Sequence, residues 1–343
     1  MASPFSLSQV DVSLSEELTS TLEVVEEKLM AATRSTDPFI SEVAGHLAAA
    51  GGKRFRPLLV AMSSQLGHAT EQVVDAAVVV ELTHLATLYH DDVMDEAPKR
   101  RGVESVNARW DNTLAILTGD FLFARASQIL ADLGTDAVRL QAETFERLVS
   151  GQIHETVGPA DGVDPVQHHI NVLADKTGSL ISTSAVFGGM FAALPNEALA
   201  ALKNFGEAIG VAFQIADDIL DIASPSHVSG KTPGTDLREG ILTLPMLLVI
   251  AENAAADQEL IALLGRELDD QEHARALELM RAHPAIAAAQ AEADRWAANA
   301  AAELEVISGL AAANPAAFAP PSRVSAVVDA LRMVCESTTN RAV

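Results

Sequence analysis

Apolar residues recur at i, i+3 and i+4 through most of the 343-residue chain, the spacing that builds one face of a helix. Sustained period-two alternation and Asn-Gly hairpin turns are not found, so strands are not expected. Ser13 with Glu16 reads as a capping box opening an acidic first helix. Helical pattern resumes after Asp37-Pro38 and should break at Gly51-Gly52; the next helix begins near Pro57, a residue suited to a first turn. A long apolar periodic run from Glu71 to Glu96 ends in the basic turn Ala97-Pro98-Lys99-Arg100-Arg101-Gly102. Further helices are predicted over 112–133, 136–156, 166–193 and 197–222, with loops at 158–165 and 224–234. Ala-rich helices follow Leu242, interrupted by Asn314 to Ser322, which holds three prolines. The uncharged stretch from Thr177 to Asn196 has the length of a membrane span, but its Ser, Thr, Gly and Pro content favours a buried core helix.

Composition agrees with packed helices. Hydrophobic residues make up 49% of the chain and aromatics only 4%, so the interior must be built from Ala, Val, Leu and Ile at close helix contacts. No linker-like break divides the sequence, and one domain over 1–343 is expected, with N-terminal helices from about residue 13, a motif-bearing core over 51–245 and C-terminal helices over 246–343. A formal net charge of −24 excludes the broad basic face that nucleic-acid binding needs, but not a local basic pocket for a phosphorylated small ligand. The single cysteine, Cys335, rules out an intrachain disulfide and reads as a small apolar helix residue. Residues Met1 to Ser20 lack a basic segment followed by an apolar core, so a secretory leader is not expected.

The chemistry is concentrated in two clusters of one spacing, Asp91-Asp92-Val93-Met94-Asp95 and Asp217-Asp218-Ile219-Leu220-Asp221. In a helix the i and i+4 carboxylates share a face. Each cluster lies near a helix C-terminus, where the macrodipole is already negative. Carboxylates so placed need a cation, and oxygen ligands from two helices suit Mg²⁺, which completes its shell with water and substrate phosphates. Taken singly, such a cluster is usually a solvated helix face; two of them, each preceded by an apolar run, argue for facing partners. A third signal is Gly51-Gly52-Lys53-Arg54-Phe55-Arg56-Pro57, where glycines admit an anion close to the backbone and Lys53 and Arg56 can hold phosphate oxygens. Alone it reads as a basic helix cap. Arg100-Arg101-Gly102 places two cations just past the first acidic cluster.

Taken in order, GGKRFRP, HDDVMDEAPKRRG, KTG, QIADDILD and KTPGTDLREG resemble the trans-isoprenyl diphosphate synthases of the polyprenyl synthetase family over roughly Gly51 to Pro245, most closely the long-chain all-trans-polyprenyl synthases. The resemblance implies an all-α, single-domain isoprenoid-synthase bundle around a central cavity. It implies Mg²⁺-dependent head-to-tail condensation of isopentenyl diphosphate with an allylic diphosphate, through three Mg²⁺ per site. Metal duty falls to Asp91, Asp95 and Asp217, with Asp92, Asp218 and Asp221 supporting water ligands. Arg100, Lys176, Thr177, Gln214 and Lys231 correspond to the allylic-diphosphate site. Lys53, Arg56, His84 and Arg101 correspond to the isopentenyl diphosphate pocket. Each residue also has a bland alternative: His84 as a helix histidine satisfied by a neighbour, Lys176-Thr177-Gly178 as a helix interruption, Gln214 as a buried cap. A homodimer in the cytoplasm, touching a membrane surface when its insoluble product leaves, is also implied. Many relatives carry a lysine after the glycine where this chain has Gly240-Ile241, so any diphosphate contact from there is absent.

Product length should depend on what stands behind the first acidic cluster. Thr87, Thr83, Val80 and Ala76 step back from Asp91 one turn at a time, with Ala86 beside them, and none is aromatic. A tunnel along that run would extend about 22 Å, long enough for several isoprene units and suited to a respiratory quinone (menaquinone or ubiquinone) side chain; Ala86→Phe should then shorten the product. The alternatives are a medium-chain (geranylgeranyl or farnesyl) synthase, a terpene cyclase, opposed by the second DDxxD, and a non-catalytic regulatory subunit, opposed by the six retained aspartates.

Overall fold

A computed structural model describes residues 10–223 and 233–339. The N-terminal helices are α1 (Val12–Ala32), α2 (Pro38–Ala49), α3 (Phe55–Ser64) and α4 (Gln72–Met94). Two short strands, β1 (Lys99–Arg100) and β2 (Val103–Glu104), precede α5 (Val106–Arg109), α6 (Asn112–Leu133), α7 (Thr135–Val157) and α8 (Pro165–Leu173). A π-helical turn, Ala174–Gly178, joins α8 to α9 (Ser179–Met190), and α10 (Asn196–Ala223) follows. The C-terminal helices are α11 (Thr235–Glu239), α12 (Leu244–Glu252), α13 (Gln258–Ile261), α14 (Asp270–Ala282), α15 (Ala285–Ala313) and α16 (Pro321–Thr339).

Local chemistry explains most boundaries. Asp37 accepts from Phe39 N at 2.8 Å with Pro38 in the first turn, and Asp111 accepts from Leu114 N at 2.8 Å, so both helices start where their caps stand. The first helix differs from expectation: its cap is Asp11, which accepts from Leu14 N at 3.1 Å. Ser13 instead accepts from Arg323 Nη2 at 3.1 Å, tying α1 to α16. Helix α3 begins two residues before Pro57, with Arg54 in the left-handed region at φ 47°.

The basic turn after α4 is also more structured than its sequence suggested. Arg100 pairs with Val103 and Lys99 with Glu104 in a two-residue hairpin, and both turn residues have positive φ, Arg101 at 53° and Gly102 at 82°, the requirement of a type I′ turn. The fold is otherwise helical among the described residues.

Helix α10 occupies the middle, packing on α9 and α15 and reaching α12, α14 and α16. Close approach is set by Gly206 and Gly210: a Cβ at the first would meet Ser182 Cα at 2.4 Å, and at the second Gly178 Cα at 2.6 Å. One apolar cluster joins α1, α3, α9, α10, α15 and α16, and a second joins α2, α4, α6, α7 and α9. The stretch from Thr177 to Asn196 forms, as expected, a core helix, with Leu180, Ile181, Ala185 and Phe187 buried. Among the described residues, helices α4 and α6 are the ones long and apolar enough to cross a membrane; 67% of that stretch is buried within the fold for α4 and 33% for α6.

Candidate active site

A cavity of about 1670 Å³ opens between α3, α4, α6, α7, α9 and α10, larger than most small-ligand pockets. Asp91 from α4 and Asp217 from α10 both line it, so the two acidic clusters share one cavity. The remaining carboxylates spread around them. Asp92 is fully buried, accepting from Arg100 Nε at 2.5 Å, while its Oδ2 has no partner. Asp95 caps α4 and is exposed, 3.9 Å from Arg100 Nη2. Asp218 is buried and accepts from Gln214 Nε2 at 3.2 Å; its Oδ2 lies 3.4 Å from His169 Nε2 without a hydrogen bond. Asp221 lies off the cavity and accepts from Asp236 N at 3.3 Å.

Burial pushes the Asp91 carboxyl up to about 6; Lys176 and Arg100 pull it down, while Asp95 and Glu155 push it up. Burial also raises Asp92 against the opposing pull of Arg100. Raised carboxylates beside buried acceptor oxygens fit a cation, whose charge would offset the desolvation. Among the described residues no three His, Cys, Asp or Glu side chains gather tightly enough to cage an ion alone.

The opposite rim is cationic. Lys53, Arg56, His84 and Arg101 all line the cavity. Arg56 Nε is buried without a partner, and burial brings its pKa down to about 10, still charged at neutral pH. A cavity-lining guanidinium with a buried N–H left unpaired is a seat for an anion. His84 is driven well below its usual range, first by burial and then by Arg56, Arg101, Arg100 and Arg54. It is therefore neutral, able to accept or donate one hydrogen bond.

One organiser was missed in the sequence. Glu81, 2% exposed, accepts from Arg54 Nη1 at 2.8 Å and Arg101 Nη2 at 3.3 Å. Arg54 is held further by Glu26, through Nε at 2.7 Å, and by Ala48 O. Arg101 Nη1 donates to Gly51 O at 2.6 Å. The available signal was a lone acid in the apolar run Ala76 to Thr83, one turn before His84.

Beside the acidic clusters, the π-helical turn carries Lys176 and Thr177 into the cavity, an interruption of the kind often found at functional sites. Arg147 clamps the turn, donating to Asp175 Oδ1 at 2.7 Å and to Glu207 Oε2 at 2.8 Å. Lys176 pairs with Glu155, and Thr177 donates to Gln214 Oε1 at 3.4 Å. Phe55 and Phe213, stacked 6.0 Å apart, line the cavity between the two ends. Lys231 lies outside the described residues.

The expected tunnel along α4 is shorter than its sequence suggested. Thr87 lines the cavity, but Thr83, Val80 and Ala76 are fully buried beyond its end and Ala86 is fully buried beside it. Other helices close the space, through Phe123, Phe145, Leu148 and Leu180, none of which periodicity on one helix can reveal.

Residues 37–280 match the sequence profile of the polyprenyl synthetase family. The chain belongs to that family. It is 47% identical over 286 residues to the nonaprenyl diphosphate synthase of Mycobacterium tuberculosis, covering 82% of this chain and 85% of the relative. It is 35% identical to heptaprenyl diphosphate synthase component 2 of Geobacillus stearothermophilus, over 85% of this chain and 91% of that one. Its fold matches geranylgeranyl pyrophosphate synthase from Corynebacterium glutamicum, solved with calcium and isoprenyl diphosphate, at a TM-score of 0.83, with 44% identity, over 97% of this chain and 98% of that one. The chain is a prenyltransferase of the polyprenyl diphosphate synthase type.

Proposed function

We propose that this protein elongates an allylic diphosphate with isopentenyl diphosphate to a long all-trans chain, as the side chain of a respiratory quinone such as menaquinone. The observation that carries the reading is the placement of Asp91 and Asp217 in one cavity that also holds Arg56, whose buried Nε has no partner. Product length rests on the 47% identity to the nonaprenyl synthase and on the absence of an aromatic side chain at Ala86 and Thr87.

Mg²⁺, held by Asp91, Asp95 and Asp217 with Asp92, Asp218 and Asp221 positioning water, would neutralise charge on the departing diphosphate. Arg100 and Lys176 face the same leaving group, with Thr177 and Gln214 orienting it, and the family resemblance assigns Lys231 to it as well. Lys53, Arg56 and Arg101 seat the diphosphate of isopentenyl diphosphate, with neutral His84 beside it, so its double bond faces the allylic carbon. Ionisation of the allylic C–O bond yields a carbocation, the double bond attacks, and loss of a proton to the released diphosphate restores the alkene. The cavity's apolar walls exclude water that would otherwise quench the cation. No side chain forms a covalent bond with substrate.

A homodimer is the arrangement the family resemblance implies; Val157 on α7 and Leu117 on α6 are exposed apolar side chains that lie off the cavity. The reading places the enzyme in the cytoplasm, meeting a membrane surface when it releases product. The deciding experiment incubates the purified chain alone with Mg²⁺, isopentenyl diphosphate and farnesyl or geranylgeranyl diphosphate, and resolves products by length. Chains well beyond geranylgeranyl length are expected. Turnover only on adding a second protein would favour one component of a two-protein synthase, and a geranylgeranyl product would favour the medium-chain reading.

A further inference from the structure

The apolar cavity ends on a layer of buried polar side chains. Away from the basic rim, where Glu81 and His84 line it, the cavity lining stops at Thr87 on α4, at Phe145 and Leu148 on α7, and at Leu180 and Ile181 on α9. One turn further along each helix stand Thr83, Gln141 with Thr144, and Thr183, all buried. They bond across the helices: Gln141 Nε2 donates to Thr83 Oγ1 at 2.9 Å, and the hydroxyls of Thr144 and Thr183 meet at 2.5 Å. Thr83 also donates to Val79 O at 2.9 Å, and Thr144 to Leu140 O at 2.7 Å. Gln141 Oε1 is buried with no partner. Polar groups buried in a core otherwise built of Ala, Val and Leu are costly unless they have a task or a full set of partners.

We infer that this belt, Thr83–Gln141 and Thr144–Thr183, is the floor that sets product length, stopping the growing chain by polarity as well as by volume. The inference deepens the elongation reading and rests on it. A hydrocarbon end reaching the belt finds hydroxyls and an amide. To pass, it must break both interhelical hydrogen bonds and leave their donors and acceptors facing alkene, with no water to replace them. The unpaired Oε1 also marks the weaker half, where one side-chain rotation of Gln141 would release Thr83. The belt therefore acts as a graded stop, and the Gln141 side yields first.

The test compares two double variants with the wild type under the same primer and Mg²⁺. Thr83→Val with Gln141→Leu removes polarity at nearly constant volume; Thr83→Ala with Gln141→Ala removes both polarity and volume. Both are expected to shift the product maximum upward by at least one isoprene unit, the alanine pair further, with wild-type isopentenyl incorporation in the first condensation. Lengthening by the alanine pair alone would make the floor purely steric and overturn the polar stop; no shift in either would overturn the floor itself. Thermal stabilisation by added prenyl diphosphates of increasing length gives a reading independent of turnover. The longest stabilising chain should increase in both variants, and an unchanged limit counts against the belt even if the proposed reaction were to fail.

Discussion

Glu81 and Arg54 form a buried ion pair of 2.8 Å at the basic rim of the cavity, with Arg101 joining the same carboxylate at 3.3 Å. The pair fixes two guanidinium groups in an apolar wall and leaves Arg56 to the ligand. Removing one partner of such a pair typically costs about 3–5 kcal/mol. Glu81→Gln is expected to lower the melting temperature, and isopentenyl diphosphate to recover some of the loss by taking the carboxylate's place. In kinetics the KM for isopentenyl diphosphate should rise while that for the allylic substrate holds. Equal changes in both would argue against this division of the site.

Gly52 gives a milder probe of the same rim. A Cβ there would meet the Arg101 guanidinium at 2.9 Å, so Gly52→Ala must swing Arg101 away. We expect about a tenfold weaker isopentenyl diphosphate affinity, equivalent to about 1.4 kcal/mol, with little change in melting temperature. Calorimetric titration reads the first and thermal denaturation the second.

Divalent-ion binding should depend on the Asp91 proton. Because burial raises its pKa to about 6, above its unfolded value, the protonated form is favoured in the native state. Without divalent ions, stability from this group is present at low pH and is lost as pH rises from about 4 through 6. Mg²⁺ is expected to reverse the loss above pH 6, so its thermal stabilisation should fade as pH drops below about 6. Asp91→Asn should lose catalysis and flatten that pH dependence; chelators should abolish wild-type turnover.

His84 has the opposite sense. Its folded pKa lies well below the usual 6.5, so below that pH the unfolded chain takes up a proton that the native site refuses. Native stability from His84 is thus present above pH 6.5 and falls as pH decreases, by up to about 1.4 kcal/mol per pH unit. His84→Gln should remove this component from the pH dependence of chemical denaturation. An unaltered slope would mean that His84 is protonated in the fold.

Cavity depth can be probed from α4. Thr87→Phe places a ring in the cavity and should shorten the product with little loss of stability. Ala86 is fully enclosed, so Ala86→Phe must push the wall inward. We expect shortening together with a cost of about 1–3 kcal/mol from overpacking. Product chromatography and thermal melts separate the two.

Much of the fold was legible from local signals. Asp37-Pro38, Asp111 and the apolar periodicity marked helix ends to within a residue or two, because capping and i, i+4 burial are decided within a few positions of the chain. The acidic clusters, the basic glycine-rich segment and the arginine pair likewise disclosed their chemistry through composition and spacing alone. Ser13 misled because several polar residues there satisfy the same capping pattern, and only packing against Arg323 assigns them.

What the tertiary structure decided lies between elements. Glu81 looks like a stray charge until Arg54 and Arg101 arrive from two other segments. The hairpin turning Arg100 toward Asp92 depends on positive φ at Arg101, a cost that only neighbouring contacts can sustain. The cavity is walled by Phe123, Phe145, Leu148 and Leu180, far from Thr87 in sequence, because a floor exists only where side chains of separate helices meet. Spacing along one helix determines which residues face the same way; the distance to the opposite wall is a property of the packed bundle.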